Sequence, residues 1–168
     1  GRKQNNVLNT KPLDIDLPVV EQRNDGLHPQ KKIFIQPNIG LESDVRIPVI
    51  EILNASLANE AVLTQKTRGA HWNVSGTGFF ELHILFETQY KQLNEISDKI
   101  AGRVRMLGGI TIASFEEFLK HTRILEHSSE IPDYLHLLAD HETIIRFLRD
   151  DIRKCNEEYE DEGTVELL

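Results

Sequence analysis

The sequence predicts an all-α fold, a four-helix bundle with one short connecting helix, and three observations predict it. Apolar residues recur at helical spacing over three long stretches. The stretches are separated by capping residues and glycine-rich breaks. After the third, "EDEGTVELL" reads as a helix stop followed by a new start, so three long helices lead into the first turn of a fourth. At 168 residues the chain is long enough for one such domain with a real core.

Taken in order, residues 1–42 hold Pro12, Pro18, Pro29 and Pro37 without a helical period, and read as an extended arm with "KKIFIQP" lying along the body. Residues 43–168 form the helical domain. Ser43 or Asp44 is the expected cap of the first helix, with Pro48 in its first turn and Ile50, Leu53, Leu57, Ala61 and Gln65 as its stripe. Ser75, Gly76, Thr77 and Gly78 break the chain. A second helix is expected from 79 to 107, ended by Gly108 and Gly109. Its stripe is Leu82, Phe86, Leu93, Ile96, Ile100, Val104 and Leu107. "ASFEEFLKH" suits the short connector. A third long helix, about 132 to 160, should turn Leu135, Leu138, Ile145, Leu148 and Ile152 inward. Thr164 is the expected N-cap of the fourth helix, of which the sequence supplies only the start.

Composition narrows the function. The net charge of −8 argues against a general nucleic-acid surface, which needs clustered cations. The first 36 residues carry six basic against four acidic side chains, a mildly basic tail on an acidic body. No apolar run reaches the roughly 18 residues that span a bilayer, and the first ten residues lack the apolar core of a secretory signal. The single cysteine, Cys155, excludes a disulfide framework or a Cys-rich zinc module and fits a cytoplasmic setting.

The chemistry concentrates in "RGAHWNVSGTGFFELHILFE". His71 and His83 stand twelve positions apart across the glycine break, and Glu87 follows one turn after His83. Glu87, Asp98 and Gly102 continue along one slowly drifting face of the second helix. Imidazole with carboxylate suits iron or zinc. Spacing alone leaves a hydrogen-bonded turn as the alternative. His83 and Asp98 are separated by about 22 Å of helix, at 1.5 Å per residue, too far to share an ion in one chain. A second copy packed antiparallel across a two-fold axis would bring His83 of one chain to Asp98 of the other. No glutamate has a histidine three positions on, so the Glu-x-x-His pattern of a within-subunit di-iron centre is absent.

The stretch 66–109, "KTRGAHWNVSGTGFFELHILFETQYKQLNEISDKIAGRVRMLGG", with "LLADHETIIRFLRDDI" later, closely resembles the Dps family, the mini-ferritins named as DNA-binding proteins from starved cells. The likeness spans roughly residues 40–168. It implies a ferritin-like subunit and a hollow homododecamer built from two-fold dimers, in which Fe(II) is oxidised by peroxide or dioxygen and stored as ferric mineral. Ferroxidase centres at the dimer interface would protect the cell from oxidative damage. By motif, His71 and His83 are the histidine ligands, Glu87 is the carboxylate of the same chain, and Asp98 comes from the partner. Trp72 lies beside such centres and could donate an electron or simply pack.

One position departs from the pattern. Where the family usually carries a bridging glutamate, four residues after the aspartate, this chain has Gly102. Either the centre is crippled, or it resembles the histidine-type variant in which imidazoles replace carboxylates. His141 is then the candidate to enter the gap, ahead of His136 and His121, and zinc is a second candidate ion. Asp140, Glu142, Asp150 and Asp151 could line a cation path or simply form a solvated face. Two other classes compete with the ferroxidase. One is a DNA-binding, compacting shell, for which the arm is only weakly basic. The other is a metal-storage cage with weak or no ferroxidase activity.

Overall fold

The computed structural model describes residues 36–126 and 131–168. Five helices follow one another there: α1 Ser43–Asn73, α2 Phe79–Met106, α3 Phe115–His121, α4 Tyr134–Glu157 and α5 Glu162–Leu167. Every regular element among the described residues is helical, as expected. Most of the extended arm expected for residues 1–42 lies outside the described residues.

The central helix is α1. Arg46 near its start reaches the carbonyl of Leu107 at the end of α2, and His71 near its end meets His83 near the start of α2, so the two helices form an antiparallel hairpin. On its other flank Ser56 bonds Asp151 and Lys66 pairs with Asp140, so α4 also runs antiparallel to α1. The connector α3 covers part of the remaining surface of α1. A helix surrounded this way must be apolar on most sides. By length and hydropathy α1 would qualify as a membrane span, but 67% of its apolar window is buried inside the bundle.

Two clusters fill the core. Val49, Ile50, Leu53 and Leu57 pack on Ile100, Val104, Leu107 and Cys155 at one end. Val62, Leu63 and Ala70 pack on Phe86, Leu93, Ile124, Leu137 and Ile144 at the other. Burial pushes the Cys155 thiol up to about 11, so it stays protonated and inert. Gly109 is required by close approach, since a Cβ there would sit 2.8 Å from Ile50 Cδ1.

Several details differ from the sequence-based expectations. The N-cap of α1 is Glu42, not Ser43 or Asp44; Ser43 Oγ instead accepts a bond from Arg46. Gln65 is exposed, and Ile96 is 40% exposed. On α4 the inward residues are Leu137, Ile144, Asp151 and Cys155, whereas Leu135, Leu138 and Ile145 are more than half exposed. The reason is rotational. α4 carries two apolar stripes one residue apart, and the Lys66–Asp140 and Ser56–Asp151 links turn the first toward α1. The N-cap of α5 is Asp161, not Thr164, because the Asp161 carboxylate accepts the Thr164 N–H while also holding Arg103 at 2.6 Å.

Candidate metal centre

The site is built at the turn end of the α1–α2 hairpin. α1 stops at Asn73, and residues 74–78 turn the chain back. Gly76 and Gly78 adopt φ of 83° and 81°, which only glycine takes without strain, so the reversal is tight. It lays the last turn of α1 against the first turns of α2.

As a result the imidazoles of His71 and His83 stack, with centroids 3.8 Å apart and planes 25° from parallel. His71 Nδ1 lies 3.0 Å from the carbonyl of His83, and His83 Nδ1 lies 3.1 Å from the carbonyl of His71. A carbonyl oxygen only accepts, so both Nδ1 atoms carry the proton and donate. In the neutral ring that arrangement fixes the tautomer and makes Nε2 the nitrogen that carries the lone pair. Metal-binding histidines are held in this way, one ring nitrogen donating to a backbone carbonyl while the other faces the ion.

Other rings extend the pair. Phe79 stacks on His83 with centroids 5.1 Å apart. Tyr90 meets His71 edge-on at 5.5 Å, and the Arg68 guanidinium sits 4.9 Å from the Tyr90 ring centroid. Tyr90 and Phe79 were missed in the sequence reading, although a signal existed. Phe79, His83 and Tyr90 fall within about 40° of one another around α2, at 100° per residue.

Glu87 belongs to this neighbourhood. Its carboxyl is held below the usual carboxylate range first by a hydrogen bond from Lys91 and by the Lys91 charge, with His71 and His83 adding to the effect. In this conformation Lys91 is its ion-pair partner, and both side chains are substantially exposed. A metal ion would have to draw Glu87 away from Lys91.

The structure brings together His71, His83 and Glu87 but not the other two candidates. Asp98 is exposed further along α2. His141 lies half-buried on α4; its Nε2 is buried without a hydrogen-bond partner, and burial lowers its pKa. Among the described residues no group of three or more His, Cys, Asp or Glu side chains could hold a metal ion. The described residues of one chain therefore bring together two fixed nitrogens and a nearby carboxylate. At Gly102 a Cβ would meet nothing within 4 Å, so space does not demand the glycine. Trp72 is 65% exposed beside His71.

One buried carboxyl lies outside this constellation. Glu60 on α1 is 3% exposed, burial raises its pKa to about 7, and its Oε2 has no hydrogen-bond partner.

The model of the ferritin-like domain family matches residues 50–168, and the chain belongs to that class of proteins. Within it, the chain belongs to the Dps family. It is 30% identical over 138 residues to the DNA protection during starvation protein of Brevibacillus brevis, an overlap of 76% of this chain and 87% of that one. An uncharacterized low temperature-induced protein of Nostoc sp. is 42% identical over 135 residues, covering 78% of this chain and 75% of the relative. Among solved structures, the Dps protein from Vibrio cholerae O1, described as a member of a broad superfamily of ferritin-like diiron-carboxylate proteins, superposes with a TM-score of 0.73. That match has 34% identity and covers 79% of this chain and 84% of the other.

Proposed function

We propose that this protein is an iron-handling mini-ferritin. It binds Fe(II) where two subunits meet, oxidises it with hydrogen peroxide or dioxygen, and stores the product in a homododecameric shell in the cytoplasm. The observation that carries this reading is the stacked imidazole pair, with both Nδ1 protons committed to backbone carbonyls and Nε2 of each neutral ring carrying the lone pair. Iron is the substrate here. In the reading, His71, His83 and Glu87 supply donors from one chain, and Asp98 of the partner subunit supplies the next. The shortage of ligands among the described residues of one chain supports a shared centre.

The protein's own contribution is to hold the two imidazoles in a fixed orientation and to keep the reaction in one place; the electron chemistry belongs to iron. Each Fe(II) gives one electron and peroxide accepts two as its O–O bond breaks. One peroxide therefore consumes two Fe(II), and water is formed with two protons taken up. This stoichiometry removes both reactants that would otherwise generate radicals.

Gly102 favours a second reading, a metal-storage cage with slow or no oxidation. Lacking the usual bridging carboxylate, the centre offers a nitrogen-rich and less anionic donor set that suits zinc as well as iron. With His141 free of any hydrogen bond at Nε2, the histidine-type variant belongs to the same reading. DNA compaction ranks below both, since the net charge of −8 opposes phosphate contact. Stopped-flow absorbance after Fe(II) addition decides between the first two. We expect a rise above the buffer rate with at least one oxidant, and its absence with both would overturn the ferroxidase reading.

A further inference from the structure

The imidazole pair does not stand alone. It is the middle of a column of four rings, Tyr90, His71, His83 and Phe79, with the Arg68 guanidinium over the outer face of Tyr90. His83 has a ring on either side. His71 lies in the last turn of α1, where helices fray, and among the described residues His83 and Tyr90 brace it across the chain reversal. Arg68 and His71 are three residues apart on α1, and the half-buried Tyr90 ring of α2 contacts both. Tyr90 therefore ties the end of α1 to α2 at the point where the ligand hangs.

We propose that Tyr90, held by Arg68, is a positioning residue of the metal centre: its ring fixes the His71 imidazole so that both Nε2 atoms face one ion in a single arrangement. The proposal rests on the reading of His71 and His83 as ligands. Its physics is that of edge-to-face ring contact and a cation over an aromatic face. An imidazole turns about a soft torsion with broad wells. Its Nδ1 bond to a carbonyl restrains that rotation, and ring contacts on both sides narrow it further. No contact uses the Tyr90 hydroxyl among the described residues, so phenylalanine should serve as well and an aliphatic side chain should not.

Co(II) is the probe, titrated into the assembled protein, with affinity read by calorimetry and ligand geometry by the visible d–d spectrum. Loss of an outer support of a ligating histidine typically weakens metal binding about 10-fold or more, so Tyr90→Leu should fall by that amount and alter the spectrum. Tyr90→Phe should retain wild-type affinity and spectrum, and Arg68→Met should fall between the two. Wild-type affinity and spectrum in Tyr90→Leu would overturn the proposal, as would equal loss in Tyr90→Phe. If Tyr90→Leu does not assemble, Arg68→Met decides: weakened binding supports the proposal and unchanged binding refutes it. His71→Ala and His83→Ala separate this from the underlying reading. If they bind Co(II) like wild type, the ligand assignment has failed. If they lose it while Tyr90→Leu does not, only the positioning role has failed.

Discussion

The two ends of the α1–α2 hairpin are built from the same helices and treat their polar groups in opposite ways. At the end away from the turn Arg46 is fully buried and donates to the Leu107 carbonyl, while nearby Arg103 is gripped by Asp161 and Thr164 of the α5 cap. The acceptors that hold both guanidinium groups come from within the chain. At the turn end each histidine is satisfied on one nitrogen only, and the carboxylate is tied to an exposed surface lysine. The difference separates structure from function: a group matched within its own chain holds the fold, and a half-matched group waits for something else.

The largest expected effect tests the end away from the turn. Asp161→Ala removes a buried partner of Arg103 together with the α5 cap, and breaking a buried ion pair costs about 3–5 kcal/mol. Chemical denaturation should show that loss while Co(II) affinity at the turn end stays unchanged; a drop in metal binding would mean the two ends are not independent.

Glu60, between the ends, sharpens the contrast with a buried group matched by neither strategy. Burial pushes its carboxyl up to about 7 in the fold, against an ordinary value of 4.5. The unfolded chain therefore gives up this proton first, so stability falls as pH rises from about 4.5 to 7 and is level above that. At 1.36 kcal/mol per unit the fall is about 3 kcal/mol. Glu60→Gln should lose that component of the pH dependence, as measured by denaturation midpoints at pH 5 and pH 8. An unchanged pH profile would show that Glu60 is not desolvated in the assembled protein.

At the turn end, His71→Ala or His83→Ala should lower metal affinity by about 100-fold, in line with deletion of a first donor rather than its support. Thermal stability should barely move, because neither ring belongs to a buried core cluster. The smallest effect concerns Lys91. Its pairing with Glu87 is an exposed i,i+4 contact screened by water, so Lys91→Ala should tighten Co(II) binding by only about twofold. Weaker binding in that variant would show that Lys91 assists the centre.

The same comparison explains what could be read in advance. The hairpin and both of its ends follow from helical periodicity and from the glycines at 76, 78, 108 and 109, which are local signals. The His71–His83 approach was legible because a short loop leaves little freedom. The inward stripe of α4 was not. Leu137–Ile144 and Leu138–Ile145 carry equal apolar periodicity, and only the polar links from Lys66 and Ser56 select between them. The caps differ for a similar reason: Glu42 and Asp161 win because of where the chain enters each helix, with Ser43 one residue on and Thr164 one turn on used as bonding partners. Gly102 gives no such local signal, since a Cβ there would meet nothing within 4 Å in its own chain.

The central claim is that the half-matched histidines complete their coordination with atoms of another subunit. Anomalous scattering from a crystal soaked in zinc tests it most directly. The account predicts an ion about 2.0–2.1 Å from Nε2 of both His71 and His83, with an oxygen of a neighbouring subunit completing the shell. An ion enclosed by the side chains of a single chain, or no ion where two chains meet, would contradict it.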